Sequence, residues 1–318
     1  MKILIILDPL ASIKTYKDTT YAMMLAARAR GHDLHVCQMA DLFYQSEPDG
    51  TVSAVVTSLE IDPAASPWYV QGEPAELALN AFDAVLMRTD PPFDMEYVYA
   101  TYMLERAQAQ GARVFNKGRA IRDHNEKFAI AEFPELTAPT IITRSAARLR
   151  AFVQQHERAI FKLLDGMGGM SIFQARADDP NLSVIIETLN RFGEQSVMAQ
   201  RFLPEIKDGD KRILLIGGEV VPYALARIPA QGEVRGNMAA GGKPVAQPLS
   251  DTDRAIAERL APVLFERGLF LVGLDVIGHC VTEINVTSPT GFQEIAAQTG
   301  FDVAAMFIER LEAVVGRP

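Results

Sequence analysis

The sequence predicts an α/β chain (α+β overall) that opens with a parallel α/β unit and continues into two further mixed units. Three observations carry that prediction. Through about residue 120, short apolar runs alternate with capped helical stretches, the order that a parallel sheet with crossover helices requires. Beyond that point, strand-like runs are separated by glycine-rich loops at residues 162–171 and 228–248. Near the end, Phe270 to Thr290 reads as two β-runs joined by a tight turn at Gly278-His279. The expected units are residues 1–122, 123–203 and 204–318.

In the first unit, Ile3 to Leu7 is an apolar run typical of a buried parallel strand. Thr19 to Arg30 is helical, capped by Asp18 or Thr19 and stopped at Gly31. Strands follow at Leu34–Met39, Ala84–Arg88 and Arg113–Phe115, with a long helix over Asp94–Gln110. Residues 46–80 are rich in Ser, Pro, Gly and Glu and read as irregular. The second unit reads as a helix near Glu126–Glu132, a strand at Thr140–Thr143 and a helix at Ser145–His156. A strand at Ala159–Leu164, the glycine loop, a strand at Ser171–Ala175, a helix at Asn181–Arg191 and a strand at Ser196–Phe202 complete it. The third begins with strands at Arg212–Ile216 and Val220–Arg227, then the second glycine-rich loop, a helix at Asp251–Arg267, the hairpin and one or two helices. No internal repeat or low-complexity tract interrupts this order.

Composition narrows the function. The chain has 318 residues, 48% of them hydrophobic, enough for several sizeable cores. Its formal net charge is −9, without the basic footprint of a general nucleic-acid binder. The two cysteines, Cys37 and Cys280, lie in apolar runs without CxxC spacing, which points to buried reduced thiols. The run MKILIILDPL is too short to span a bilayer and lacks a signal-peptide pattern. A cytoplasmic protein with neither nucleic-acid nor membrane partners is the expectation. The five histidines pair at no metal-ligand spacing and read as structural or surface residues.

The chemistry-bearing residues fall into seven places. In the hairpin, Glu283 and Asn285 are two apart and leave the same strand face, with Ile284 and Val286 toward a core. Asp275 can meet that pair across the hairpin. Two carboxylates and an amide oxygen suit Mg²⁺ shared with nucleotide phosphates; a polar, solvated hairpin face is the alternative. The loop after Lys162 holds Gly166, Gly168 and Gly169, whose backbone can approach an anion closely, with the lysine as a point charge. An ordinary hairpin turn is the alternative there. Lys127, at a helix start, could join Lys162 in a two-lysine phosphate clamp. The strand Ser196–Leu203 could offer backbone to a base, or be a plain core strand. Residues 228–248 hold four glycines and no apolar period, so they read as a lid or a surface loop, with Arg227, Arg235, Asn237 and Lys243 on or beside it. MRTDPPFD follows a strand at its carboxyl end, where open α/β sheets bind ligands, and Arg88 suits a carboxylate. Asp8-Pro9, with Ser12 and Lys14, is a weaker signal of the same kind.

Taken together, DPL, MRTDPPFD, YATYMLERA, NEKFA, KLLDGMGGMSIF, MAQRFLPEIKDGDKRIL, ARIPAQGEVRGNMAAGGK and GLDVIGHCVTEINVTSPTGFQEI resemble bacterial glutathione synthetases, a family of ATP-grasp ligases. The resemblance runs through nearly the whole chain in order and is weakest over residues 46–80. It implies an N-terminal parallel α/β domain followed by a two-lobed ATP-grasp fold. It implies ligation of γ-glutamylcysteine and glycine at the expense of ATP, through an acyl phosphate, with Mg²⁺ (or Mn²⁺) held by Asp275, Glu283 and Asn285. By resemblance Lys127, Lys162, Gly166, Gly168 and Gly169 grip phosphates, Gln200, Arg201, Phe202 and Leu203 line the adenine site, and Asp210 meets the ribose. Arg212, Arg227 and Lys162 become catalytic. Arg88, Asp90, Arg235, Asn237, Ser288, Pro289 and Thr290 become substrate-binding, and the chain a homo-oligomer, a tetramer. Two departures stand out: Leu163 where relatives carry proline, and PAQGEV where they often carry two glycines. Other ATP-grasp carboxylate–amine ligases and a nucleotide-binding regulator without turnover are the competing readings.

Overall fold

A computed structural model describes residues 1–47, 49–230, 233, 236 and 241–316. It contains three sheets. The first unit holds β1 (Lys2–Ile6), α1 (Thr19–Ala29), β2 (Asp33–Cys37), β3 (Leu42–Gln45), β4 (Thr51–Ile61), β5 (Tyr69–Gln71), β6 (Ala75–Ala78), β7 (Ala84–Met87), α2 (Met95–Ala109) and β8 (Val114–Phe115). β2-β1-β7-β8 are parallel, as the apolar runs predicted. Asp18 and Asp94 cap α1 and α2, each accepting from the backbone N–H three residues on.

Residues 46–80 depart from expectation. They carry the eleven-residue strand β4, which pairs antiparallel with β2, β3, β5 and β6. Val52, Ala54 and Val56 are buried on alternate positions, and Leu59 and Ile61 resume the alternation. The flanking Ser, Pro and Gly residues, which are turn chemistry between short strands, hide that period-two pattern in composition.

The short helix α3 (Gly118–Asp123), which the pattern did not announce, leads into the second unit. The helix expected near Glu126–Glu132 is a single 3₁₀ turn over Phe128–Glu132. The Asn125 side chain caps it by accepting from the N–H groups of Lys127 and Phe128, and Pro134 blocks its extension. β9 (Thr140–Thr143), α4 (Ala146–His156), β10 (Arg158–Leu163), β11 (Phe173–Arg176), α5 (Leu182–Asn190) and β12 (Val197–Arg201) follow, the strands forming an antiparallel sheet β11-β10-β12-β9.

The third sheet, β15-β14-β13-β16-β17, is built from β13 (Asp210–Ile216), β14 (Glu219–Ile228), β15 (Lys243–Pro248), β16 (Leu271–Ile277) and β17 (Cys280–Asn285), with α6 (Asp251–Glu266) packed on it. The loop expected over 228–248 ends as regular structure: β15 pairs with β14 from Ile228↔Lys243 to Tyr223↔Pro248. Its short, proline-flanked run lacks the long apolar signal of a buried strand, and pairing with β14 supplies what its sequence does not. Finally α7 (Phe292–Thr299) and α8 (Val303–Val315) return to the first unit. One core cluster joins Ile3, Ile5, Met23 and Met24 of the first unit to Leu214, Phe292, Phe307 and Leu311 of the third. Each such buried side chain stabilises the fold by about 1.5–3 kcal/mol relative to exposure. That shared core sets the carboxyl ends of β1 and β7 opposite the hairpin β16–β17, and the site lies between them.

Candidate active site

The five-stranded sheet places its charges by register. Asp275 faces Arg212 across β16–β13, and Arg227 faces Asp210 across β14–β13. Asp275, 2% exposed, accepts from Arg212 Nε at 2.6 Å and Nη2 at 3.2 Å, and pairs with Arg227 Nη2 at 2.9 Å. Arg227 Nη2 also lies 2.6 Å from Asp210 Oδ2, so one guanidinium bridges two carboxylates. Burial alone would raise the Asp275 carboxyl, but the two guanidiniums outweigh it and hold it well below the usual carboxylate range. Asp210 goes the other way. Its burial, with Asp275 and Glu283 nearby, outweighs Arg227 and pushes it up to about 6. Asp210 Oδ1 is buried and has no hydrogen-bond partner.

On the hairpin, Asp275 pairs in register with Glu283 and Gly273 with Asn285, with an irregularity after Asp275. Gly278 takes φ +60° in the turn, a conformation that favours glycine. Glu283 lies 3.3 Å from Lys162 Nζ and 3.9 Å from Lys127 Nζ. Burial opposes its ionisation, yet Lys127 and Lys162 carry its carboxyl below the ordinary value. Asn285 Nδ2 donates to Gly273 O at 3.1 Å, which leaves Oδ1 as the acceptor end. Lys127 also donates to Gly166 O in the glycine loop, and Asn125 Nδ2 donates to Leu164 O at 3.0 Å. Gly168 and Gly169 take φ +60° and +80°, so this loop does require glycines.

Two adjoining spaces open here. A narrow one, about 60 Å³, is lined by Ile160, Gln200, Phe202, Leu203 and Ile206, with Lys162, Asp210 and Glu283 at one end. Arg201 also lines it, and the Arg201 and Phe202 N–H groups are already bonded to Pro139 O and Arg158 O. The larger space, about 430 Å³, takes in Lys127, the loop glycines Gly166, Gly168 and Gly169, Arg212, Arg227, Asp275, Glu283 and Asn285. It reaches the first unit at Ser12, Lys14 and Asp90, and the end of the hairpin at Ser288, Pro289 and Thr290. Ser288 Oγ donates to Asp90 Oδ1, and Asp90 N donates to Asp8 Oδ2 at 2.9 Å, so the two units are pinned at this wall. Thus nearly all residues singled out in the sequence converge.

Lys243, exposed at the start of β15, lines neither space, and Arg88 stands apart as well. Arg88 sits behind the wall, 6% exposed, donating from Nε to Thr20 Oγ1 at 3.0 Å and from Nη2 to Pro289 O at 3.2 Å. Its Nη1 is buried without a partner. Arg235 and Asn237 lie outside the described residues. Gly236 is described, and a Cβ there would stand 2.4 Å from Arg227 O, so the chain passes tightly over that arginine. The sequence reading also missed cavity residues. Lys17 and Glu294 carry no motif signal, Asp18 reads only as a helix cap, and Glu126 is eclipsed by the lysine beside it.

Comparison with known proteins gives the family. Residues 1–122 match the prokaryotic glutathione synthetase N-terminal domain, and residues 126–300 match the ATP-grasp domain of the same family. The chain is 58% identical over 317 residues to a glutathione synthetase from Ralstonia nicotianae, covering 100% of this chain and 97% of that one. It is 56% identical over 313 residues to one from Neisseria meningitidis, covering 97% and 98%.

The chain belongs to the prokaryotic glutathione synthetase family.

It is an ATP-dependent ligase of glutathione synthesis, and the family's use of ATP and a divalent metal comes with that membership. Among solved structures, the D-cycloserine synthetase DcsG superposes with a TM-score of 0.68 at 17% identity, covering 98% of this chain and 99% of that one. The ATP-grasp ligase PsnB, complexed with precursor peptide PsnA2 and AMPPNP, gives a TM-score of 0.64 at 17% identity, covering 99% of each chain. These distant matches establish the ATP-grasp fold. The donor set of this synthetase fits a hard divalent cation: two ionised carboxylates and an amide oxygen on paired strands, all lining one cavity. Among the described residues no group of three or more His, Cys, Asp or Glu side chains is placed to hold a metal ion, so this site would depend on the amide oxygen of Asn285 for its third donor.

Proposed function

We propose that the narrow space takes the adenine of ATP against Gln200–Leu203, with Asp210 toward the ribose, and that the larger space takes the phosphates and both other substrates. One observation carries this reading. Four cations, Lys127, Lys162, Arg212 and Arg227, meet three oxygen-donor side chains, Asp275, Glu283 and Asn285, where the 430 Å³ cleft adjoins an apolar slot. Mg²⁺, or Mn²⁺ in its place, would be held by Asp275, Glu283 and Asn285 and would neutralise phosphate charge there.

The residues then act by position and charge. Lys127 and Lys162 exchange Glu283 for phosphate oxygens, and the loop of Gly166, Gly168 and Gly169 offers backbone N–H groups to them. Arg212 and Arg227 face the cysteinyl carboxylate of γ-glutamylcysteine as its oxygen takes the γ-phosphoryl group. The same guanidiniums face the tetrahedral centre formed when the glycine amine attacks the acyl phosphate and phosphate departs. Asp90, Ser288, Pro289 and Thr290 form the wall on which dipeptide and glycine are read, with Arg88 behind it. Arg235 and Asn237 belong to the segment proposed to cover the site.

We assign residues 1–122 to substrate binding and 123–203 and 204–318 to the two ATP-grasp lobes. A homo-oligomer, a tetramer by family resemblance, working in the cytoplasm completes the reading; no helix among the described residues is long and apolar enough to cross a membrane. The test is phosphate release with both γ-glutamylcysteine and glycine present. Hydroxylamine in place of glycine should yield the dipeptide hydroxamate with ADP. Release without hydroxamate would overturn the acyl-phosphate route.

A further inference from the structure

The clamp lysine, the glycine loop and the hairpin come from three separate stretches of chain, and something must hold them in register. Glu126 meets the hairpin through four hydrogen bonds. Its Oε1 accepts from Val286 N at 2.9 Å, Thr287 N at 3.1 Å and Thr287 Oγ1 at 2.9 Å. Its own carbonyl accepts from Ile284 N at 2.8 Å. Ile284 lies between Glu283 and Asn285, and Thr287 precedes Ser288–Thr290. The residue therefore clasps the hairpin within its acid–amide pair and again just before the 288–290 segment. Lys127 follows directly, and Asn125 ties the same short segment to the glycine loop through Leu164 O.

We propose that Glu126 is a positioning residue for the ligation. Its carboxylate sets the end of β17 and the 287–290 turn at a fixed distance from Lys127. One side-chain oxygen that accepts from three donors on two consecutive residues leaves the turn little freedom, and it does so by reach and direction. The alternative way to satisfy Val286 N and Thr287 N is water, which would let the turn drift in a cavity already open to solvent. Glu126 thus acts through the residues it holds and need not touch substrate. The inference rests on the proposed reading of this cleft, in which residues 288–290 read the acceptor and Lys127 reads phosphate.

Three variants of the full chain test it. E126A removes every side-chain bond. E126D keeps the charge but falls short by one methylene. E126Q keeps an oxygen of the same reach without the charge. E126A and E126D should raise KM for glycine about tenfold and lower kcat about tenfold, with KM for γ-glutamylcysteine within twofold of the parent. E126Q should recover kcat and the glycine KM to within about threefold. Far-UV circular dichroism and thermal unfolding of all three show whether the fold persists; should E126A unfold, E126D and E126Q still decide the matter. Equal losses in E126Q and E126A would overturn the proposal, because charge or proton transfer rather than reach would then be at work. Parent-like glycine KM in E126D would overturn it as well. Phosphate release in the parent without any glycine dependence would instead defeat the underlying reading of the cleft.

Discussion

Arg227 and Arg88 are both buried guanidiniums, 5% and 6% exposed, in opposite surroundings. Arg227 stands between Asp210 and Asp275; although burial disfavours its charge, those carboxylates outweigh it and strengthen its hold on the proton. Arg88 has a hydroxyl and a carbonyl for partners and one bare nitrogen, and burial, only partly offset by the more distant Asp90 and Asp18, makes its charge harder to keep. The C-terminal sheet thus holds Arg212 and Arg227 against carboxylates, which in the proposed reading change partners when a polyanion and a divalent cation arrive. The wall near the first unit holds a lone cation by neutral groups, where it fixes the shape of Pro289. Charge that is exchanged belongs to chemistry, and charge that is merely held belongs to shape.

The largest way to break that contrast is Arg227→Met. It leaves Asp210 without its guanidinium and Asp275 with one of two. Stability should fall by about 3–5 kcal/mol in urea titration, as expected for unpairing a buried ion pair. Turnover should drop on the order of 10²–10³-fold by phosphate release. A loss confined to stability would remove Arg227 from the reacting centre.

Next comes Glu283→Gln. The fold should persist by circular dichroism, because a neutral isostere still suits the lysines sterically. Turnover should fall roughly 10²-fold or more, with half-saturating Mg²⁺ shifted upward, since a carboxylate ligand is lost. Parent-like turnover at limiting Mg²⁺ would strike Glu283 from the metal set.

Asp210→Asn sharpens the comparison through pH. The Asp210 carboxyl sits at about 6 in the fold, chiefly because it is buried, against roughly 3.9 unfolded. A carboxyl raised on folding binds its proton more tightly in the native state. Below about pH 4 both states are protonated and the asparagine variant should match the parent. Between pH 4 and 6 the unfolded carboxyl ionises while the buried native one keeps its proton, so the parent loses stability relative to the variant. Above pH 6 the variant should be ahead by about 1–3 kcal/mol. A gap that closes with rising pH would reverse the assignment. Asp275 has the opposite sign: its stabilisation is present above the unfolded carboxyl pKa and is lost only as pH falls through its depressed native value.

The smallest effect belongs to Arg88→Met, which strands no carboxylate. Two partners lose their donor, worth about 1–3 kcal/mol if both stay dry. KM for γ-glutamylcysteine should rise about tenfold with kcat within threefold. A kcat loss as deep as that of the Arg227 variant would erase the distinction between the two arginines.

Much of this arrangement is legible in the chain itself. The parallel strands, the caps Asp18, Asp94 and Ser145, and the hairpin around Gly278 follow from local pattern and turn chemistry. So does the shared face of Glu283 and Asn285, because strand periodicity is two wherever the strand lies. The long strand β4 was hidden because composition over residues 46–80 resembles turns, while its alternation is satisfied only by pairing with four other strands.

Local sequence by itself marked the side chains to which the chemistry is assigned: the lysine before a glycine loop, the acid–amide pair, the arginines on strands. Tertiary structure alone decided who holds whom. That Arg227 bridges Asp210 and Asp275, that Glu126 clasps a turn 160 and 161 residues away, and that Arg88 stands behind the wall all depend on sheet register and on α7 and α8 packing back onto the first unit. Those contacts join residues far apart in the chain, and no local propensity encodes a distance that only the closed core enforces.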